Sequence, residues 1–317
     1  MDAPREGLSK LYKNVSSVIL GKKEPVLLSL VSMLCRGHLL IEDVPGVGKT
    51  MLARALARST SADFKRLQCT PDMLPSDVTG VSIYNQKTLE FEFRPGPVFT
   101  NFLLADEINR TTPRTQSSLL ECMAEGQVTV EGRTYPMQDV FMVIATQNPV
   151  EFAGTYPLPE AQLDRFFMRI NLGYPALSDE VSIMSAQREH HPIDSLQPVL
   201  DKQTLAALQA QVSKVTVSED VQRYIAEVVQ ATRNHPELEL GASPRGSIAL
   251  MKATQAVALI GGKNYVEPQM IKQVAVPVLA HRLIARSRAQ SVGKSAEAVV
   301  GEILGKVKVP VAATAAG

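Results

Sequence analysis

Cysteine is scarce. The chain carries three, Cys35, Cys69 and Cys122. An odd number at wide spacing indicates neither a disulfide framework nor a thiolate metal site, so reduced and mostly buried thiols are expected. An excess of one charge is also missing, since 33 Lys and Arg against 32 Asp and Glu leave a net +1. That balance argues against a dedicated nucleic-acid binder, although a local basic patch stays open. No apolar run approaches the roughly 18 residues of a membrane span. The first residues, MDAPREGLSKLYKN, lack a signal-peptide pattern, so a cytoplasmic protein without a transmembrane segment is expected. The five histidines include one adjacent pair, His190-His191, without metal-ligand spacing, and these read as surface residues. Internal repeats and low-complexity segments are absent too. What is present is ordinary: 317 residues, 45% hydrophobic and 21% charged, enough for one large domain and a smaller one.

Within this ordinary composition one stretch stands out, His38 to Arg58, HLLIEDVPGVGKTMLARALAR. His38-Leu39-Leu40-Ile41 is apolar and too short for a helix, so it reads as a buried parallel strand. After the Gly-rich run, Leu52, Ala55 and Leu56 fall at helical spacing. A strand, a Gly-rich loop and a helix meeting at Gly-Lys-Thr is the setting of a phosphate-binding loop. Gly46 and Gly48 let successive N–H groups turn inward, and the helix N-terminus adds its positive end. Lys49 can reach β- and γ-phosphates, and the Thr50 hydroxyl can ligate Mg²⁺. The nucleotide set is then Pro45, Gly46, Val47, Gly48, Lys49, Thr50 and Met51. Asp43 departs from the pattern, standing where such loops usually begin with glycine. Upstream, Val18, Ile19 and Gly21 either line a base pocket or simply pack in the core.

Phe102-Leu103-Leu104-Ala105-Asp106-Glu107 is a buried strand ending in two carboxylates. Ligands bind at such strand ends in open α/β sheets. Asp106 would hold Mg²⁺ through its water shell, and Glu107 would act as general base toward the attacking water. Another apolar strand, Val140 to Ala145, runs into Thr146-Gln147-Asn148-Pro149. There Asn148 either reaches the γ-phosphate and water or serves turn chemistry before proline.

The remaining pattern places helices at 8–20 and 25–34, a strand at 64–69 and a β-hairpin or loop insert at 81–93. A helix at 113–124 is capped by Gly126, and a second hairpin spans 127–135 with a Glu-Gly turn. A short helix around Leu158 to Phe166 leads to a last strand, Phe167 to Leu172. From Ser178, read as a helix cap, periods of 3.6 dominate: 178–189, 201–212, 219–233, 244–259 and one helix after Pro268. No strand-like run competes there. The expected fold is therefore α/β: residues 1–177 as a core with a five-stranded parallel sheet, and 178–317 as a small all-helical lid with a loose tail from Val309. Arg282, Arg286, Arg288 and Lys294 read as a solvated helix face, with a basic binding surface as the alternative.

With these residues in place the chain resembles AAA+ ATPases, and specifically the MoxR family, from about Val18 to Tyr174 and more weakly through the helical part. The resemblance rests on EDVPGVGKT (42–50), LLADEINRTTPRTQSSLLECMAEGQVTVEG (103–132), ATQNP (145–149), GTYPLPEAQLDRF (154–166) and SPRG (243–246). Asp43 in the first-glycine position is usual in that family. The resemblance implies that Asn148 is the sensor 1 residue, Arg165 an arginine finger acting on a neighbouring subunit, and Arg245 sensor 2. From the residues alone Arg165 is merely an arginine after an aspartate. The resemblance also implies ATP and Mg²⁺ as cofactors and a homo-oligomeric ring, expected as a hexamer. It further implies chaperone-like remodelling of a protein client, with a partner bearing a von Willebrand factor A domain. The alternatives are a magnesium-chelatase-like motor subunit, a nucleic-acid-dependent motor, and a nucleotide-gated binding module with little turnover.

Overall fold

The computed structural model describes residues 2–149, 154–188, 191–287 and 294–310. They form two compact units, one within residues 6–208 and the other within residues 209–310 together with the described residues before Glu6.

The larger unit is built on five parallel strands, β1 (Leu39–Glu42), β2 (Phe64–Gln68), β5 (Phe102–Asp106), β8 (Met142–Gln147) and β9 (Met168–Ile170). Their order across the sheet is β2-β5-β8-β1-β9. The central strands β1, β5 and β8 are buried almost throughout. Helices cover both faces of such a sheet, so its sequence is continuously apolar rather than alternating. β2 lies at the edge and exposes Lys65 and Arg66. After β1 the chain crosses to β2, passing over β8 and β5, and this reversal opens a crevice at the carboxyl ends of the central strands. The expected early helices form as α1 (Asp2–Ser16) and α2 (Lys23–Leu34), and the helix after β5 as α5 (Pro113–Glu125).

The two expected hairpins form. β3 (Gly80–Asn85) pairs with β4 (Glu90–Pro95), and β6 (Gln127–Val130) with β7 (Arg133–Pro136). In the second turn Glu131 and Gly132 both have positive φ, 51° and 78°, as a tight two-residue turn of the strand-matching hand requires. Phe93 stacks on Tyr135 at 4.1 Å between ring centroids, so the hairpins share an aromatic contact. Cys69 and Cys122 are buried free thiols, each pushed up to about 12 by burial, and Cys35 is half-buried.

His38 precedes β1 and ties it to its neighbours. Its Nδ1 accepts the Val143 N–H at 2.9 Å, and its Nε2 lies 3.1 Å from the Met123 carbonyl. That pairing fits only a neutral ring protonated on Nε2, and burial pulls its pKa down to about 4. The unfolded chain therefore binds the extra proton between about pH 6.5 and pH 4, and the stability contributed by neutral His38 is lost as pH falls through that window. Between about pH 7 and pH 5 the loss is about 2 kcal/mol. Urea midpoints at both pH values, compared with His38→Gln, measure it. Identical pH dependence in the two proteins contradicts a buried neutral His38.

The second unit is mostly helical. In α10 (Glu219–Arg233) the apolar residues Val221, Tyr224, Ile225, Val228 and Val229 all turn inward, and Ser218 caps the first turn. α11 (Pro244–Ile260) and α12 (Pro268–Leu279) follow, then a helix at Ala296–Lys306 that the sequence pattern did not single out.

Three further details differ from expectation. A short antiparallel pair, β10 (Leu238–Leu240) with β11 (Ile284–Ala285), interrupts the helices; two or three residues are too few to show alternation. The helix α7 (Leu177–Ala186) is capped at Ala176, not Ser178, which lies inside the first turn. The basic set is not a solvated helix face either. Arg282 is buried and donates to the Val278 carbonyl, and Arg286 Nε donates to Leu238 O at 3.1 Å. Lys294 bridges Glu237 and Glu302 at 2.5 and 2.7 Å. Arg288 lies outside the described residues, as do His190 and the tail from Val311.

Candidate nucleotide site

Between β1 and α3 (Lys49–Ser59) the loop turns on two glycines, Gly46 at φ 85° and Gly48 at φ 98°. A Cβ at either would meet nothing within 4 Å, so the left-handed backbone, not crowding, selects glycine here. Gly48 is the N-cap of α3 and supplies no capping side chain. The first-turn N–H groups are thus left to an anion, with the helix dipole behind them. Lys49 is half-buried and its Nζ donates to the Asp43 carbonyl at 2.7 Å. Burial lowers its pKa, and the nearby carboxylates of Asp43, Asp106 and Glu107 oppose that shift. Lys49 opens a helix and the two acids stand at the end of β5, yet their charges act on one another.

Asp106 ends β5 with both oxygens engaged. Oδ1 accepts the Thr146 hydroxyl at 2.6 Å, and Oδ2 accepts Nη2 and Nε of Arg66 at 2.6 and 3.1 Å. Glu107 follows in the left-handed region at φ 57°, a conformation costing a non-glycine residue roughly 1–2 kcal/mol. Its N–H donates to the same Thr146 hydroxyl at 2.8 Å. Its Oε2 accepts Gln68 Nε2 at 3.0 Å and Arg110 Nη1 at 3.2 Å. Thr146, fully buried at the end of β8, thus fixes both acids at once. The sequence reading overlooked Thr146, although a hydroxyl in the last inward position of an apolar strand is its visible signal. The Thr50 hydroxyl and the Asp106 carboxylate are hard oxygen donors and fit Mg²⁺. With both Asp106 oxygens already bonded, contact through a metal-bound water fits better than direct ligation.

Beside the loop lies a cavity of about 190 Å³. Val18, Ile19 and Met51 line it together with Gly46, Val47 and Gly48, and Ile183 and Pro175 close it from the α7 side. Gly21 is not among its walls. Instead it turns the chain at φ 72°, where a Cβ would come within 2.1 Å of the Asp179 carboxylate. The mostly apolar lining beside the loop of Gly46 and Gly48 has the character of a site for a flat, apolar-faced ring.

Asn148 is buried just past β8. Arg165 is half-buried after the short helix α6 (Glu160–Leu163). Arg245 is exposed at the start of α11, in the other compact unit. Ser243 occupies the N-cap of α11 but its side chain makes no capping bond.

Residues 38–168 match the family model described as "ATPase family associated with various cellular activities (AAA)", and residues 230–303 match the AAA lid domain. Chaperone MoxR1 of Mycobacterium tuberculosis is 40% identical over 96% of this chain and 82% of its own. The chain belongs to the MoxR family of AAA+ ATPases. An uncharacterized Bacillus subtilis protein, YeaC, is 55% identical over 96% of this chain and 95% of its own. A crystal structure of a Cytophaga hutchinsonii protein, assigned as an ATPase by inference, superposes with a TM-score of 0.91 at 40% identity. That match covers 97% of this chain and 96% of the other. These relatives share nearly the whole length of the chain, both compact units included.

Proposed function

We propose that this chain binds ATP with Mg²⁺ and hydrolyses its β–γ phosphoanhydride bond, as a homo-oligomeric ring, hexameric by family resemblance, that remodels a protein client. The observation that carries the proposal is the left-handed Gly46 and Gly48 turn that opens α3 at Lys49, in the same compact unit as Asp106 and Glu107, which Thr146 holds at the carboxyl end of the sheet. In this reading the loop N–H groups and Lys49 hold the phosphates, and Thr50 and Asp106 hold the metal. The bound metal supplies charge neutralisation at the phosphates. Glu107 receives the proton of the attacking water, and its bonds from Gln68 and Arg110 aim the carboxylate. Asn148 is assigned to orient the water or the γ-phosphate, Arg165 to the neighbouring subunit's site, and Arg245 to sensor 2. The family assignment supports these three roles, together with a von Willebrand A-domain partner. No helix among the described residues is long and apolar enough to cross a membrane.

Phosphate release by the purified protein, with ATP and Mg²⁺ and with Mg²⁺ chelated, tests the reading. Metal-dependent release that rises when a von Willebrand A-domain partner is added supports it. Release that depends on DNA instead points to a nucleic-acid motor, and tight ATP binding without release to a nucleotide-gated binding module.

A further inference from the structure

A glycine would serve the first position of the phosphate loop well, yet Asp43 occupies it and is 6% exposed. Burying a carboxylate beside a polyphosphate site is costly on two counts, lost hydration and repulsion of the ligand. Its bonds show what offsets that cost. Oδ1 accepts the Val44 N–H at 2.8 Å, and Oδ2 accepts the N–H groups of Leu172 and Gly173 at 2.7 Å each. The Asp43 carbonyl accepts Lys49 Nζ at 2.7 Å, and its own N–H donates to the Gln147 carbonyl at 3.1 Å. Leu172 and Gly173 lie just beyond β9, far along the chain from Asp43. From there Tyr174 O accepts Lys22 Nζ at 2.7 Å, and Pro175 and Lys22 both line the base cavity. One residue thus joins the loop lysine, through its main-chain carbonyl, to the segment that walls the cavity, through its carboxylate.

We propose that Asp43 is a positioning residue that relays phosphate occupancy to the base cavity, a role that rests on the phosphate-loop reading above. A polyphosphate takes over the Lys49 ammonium from the Asp43 carbonyl. With the Lys49 bond to its main-chain carbonyl gone, the Asp43 peptide settles toward the Leu172 and Gly173 N–H groups that its carboxylate already holds. The segment 172–175 tightens, and the α7 wall of the cavity tightens with it. The relay makes phosphate binding favour base binding, the reciprocity expected of coupled sites.

Tripolyphosphate tests this, since it can fill the loop and has no base. Hydrogen exchange is followed in the wild type, Asp43→Gly and Asp43→Asn, each saturated with tripolyphosphate as judged by calorimetry. In the wild type, exchange slows about tenfold at Leu172 and Gly173 and about threefold at Ile183 to Gln187. Both variants lose the slowing at Ile183 to Gln187, which make no bond to Asp43 in this structure. If Asp43→Gly does not fold, Asp43→Asn carries the test, because its side-chain oxygen can still accept from Leu172 and Gly173. A merely structural Asp43 would lower the melting temperature and leave the α7 response intact, and that result overturns the relay. So does a wild type that binds tripolyphosphate without slowing at α7. A wild type that fails to bind tripolyphosphate overturns the phosphate-loop reading and the relay together.

Discussion

Glu107→Gln binds ATP with nearly wild-type affinity and hydrolyses it about 10²–10⁴-fold more slowly. The substitution is close to isosteric. The amide carbonyl it introduces can accept the bonds that Gln68 and Arg110 now donate to Glu107 Oε2, and the backbone bond to Thr146 is untouched. The negative charge, and with it the ability to take a proton at neutral pH, is removed while the shape is kept. Lys49→Ala is the contrasting variant, since it deletes the one side-chain cation within the loop and abolishes ATP binding. Fluorescent-nucleotide titration and phosphate release on the same preparations separate the two effects. Hydrolysis by Glu107→Gln at the wild-type rate would falsify the general-base assignment. A Lys49→Ala protein that still binds ATP tightly would remove the basis for the phosphate loop.

Arg165→Ala also binds ATP, and its turnover falls about 10³-fold, the lower end of what an arginine finger contributes to phosphoryl transfer. A finger acting in trans has two further consequences. Activity per wild-type subunit rises with protein concentration as rings assemble. Mixing Arg165→Ala with Lys49→Ala, each inactive alone, restores turnover. In an equimolar random ring, half the sites have an intact loop and half of those face an intact finger, so about a quarter of the sites recover. Subunit exchange is verified independently by energy transfer between labelled chains. Verified mixing with no recovery of phosphate release leaves Arg165 without a role in the neighbouring site.

The strand, glycine turn and helix around Lys49 were legible in the sequence because their demands are local. Two positive-φ positions select Gly46 and Gly48, a short apolar run becomes β1, and a 3.6-residue period becomes α3. The Asp106-Glu107 pair was legible for the same reason, as polar residues ending a buried strand. So was the tight hairpin at Glu131-Gly132. The five-stranded parallel sheet follows from such runs, since strands buried on both faces need apolar residues at every position. What the tertiary structure alone decided is which distant groups meet. Thr146 bonds to both acids across 40 and 39 residues. Arg66 reaches Asp106 across 40 residues, and Asp43 reaches Leu172 and Gly173 across 129 and 130. Each of these contacts depends on strand order, and side-chain periodicity reports only which face a residue takes, not which strand lies beside it. Gly21 shows the same limit. Its sequence position suits a base pocket as well as a turn, and only the approach of the distant Asp179 distinguishes them. Local propensity therefore wrote the elements of the site, and the crossing of the chain from β1 to the far edge of the sheet assembled its polar network.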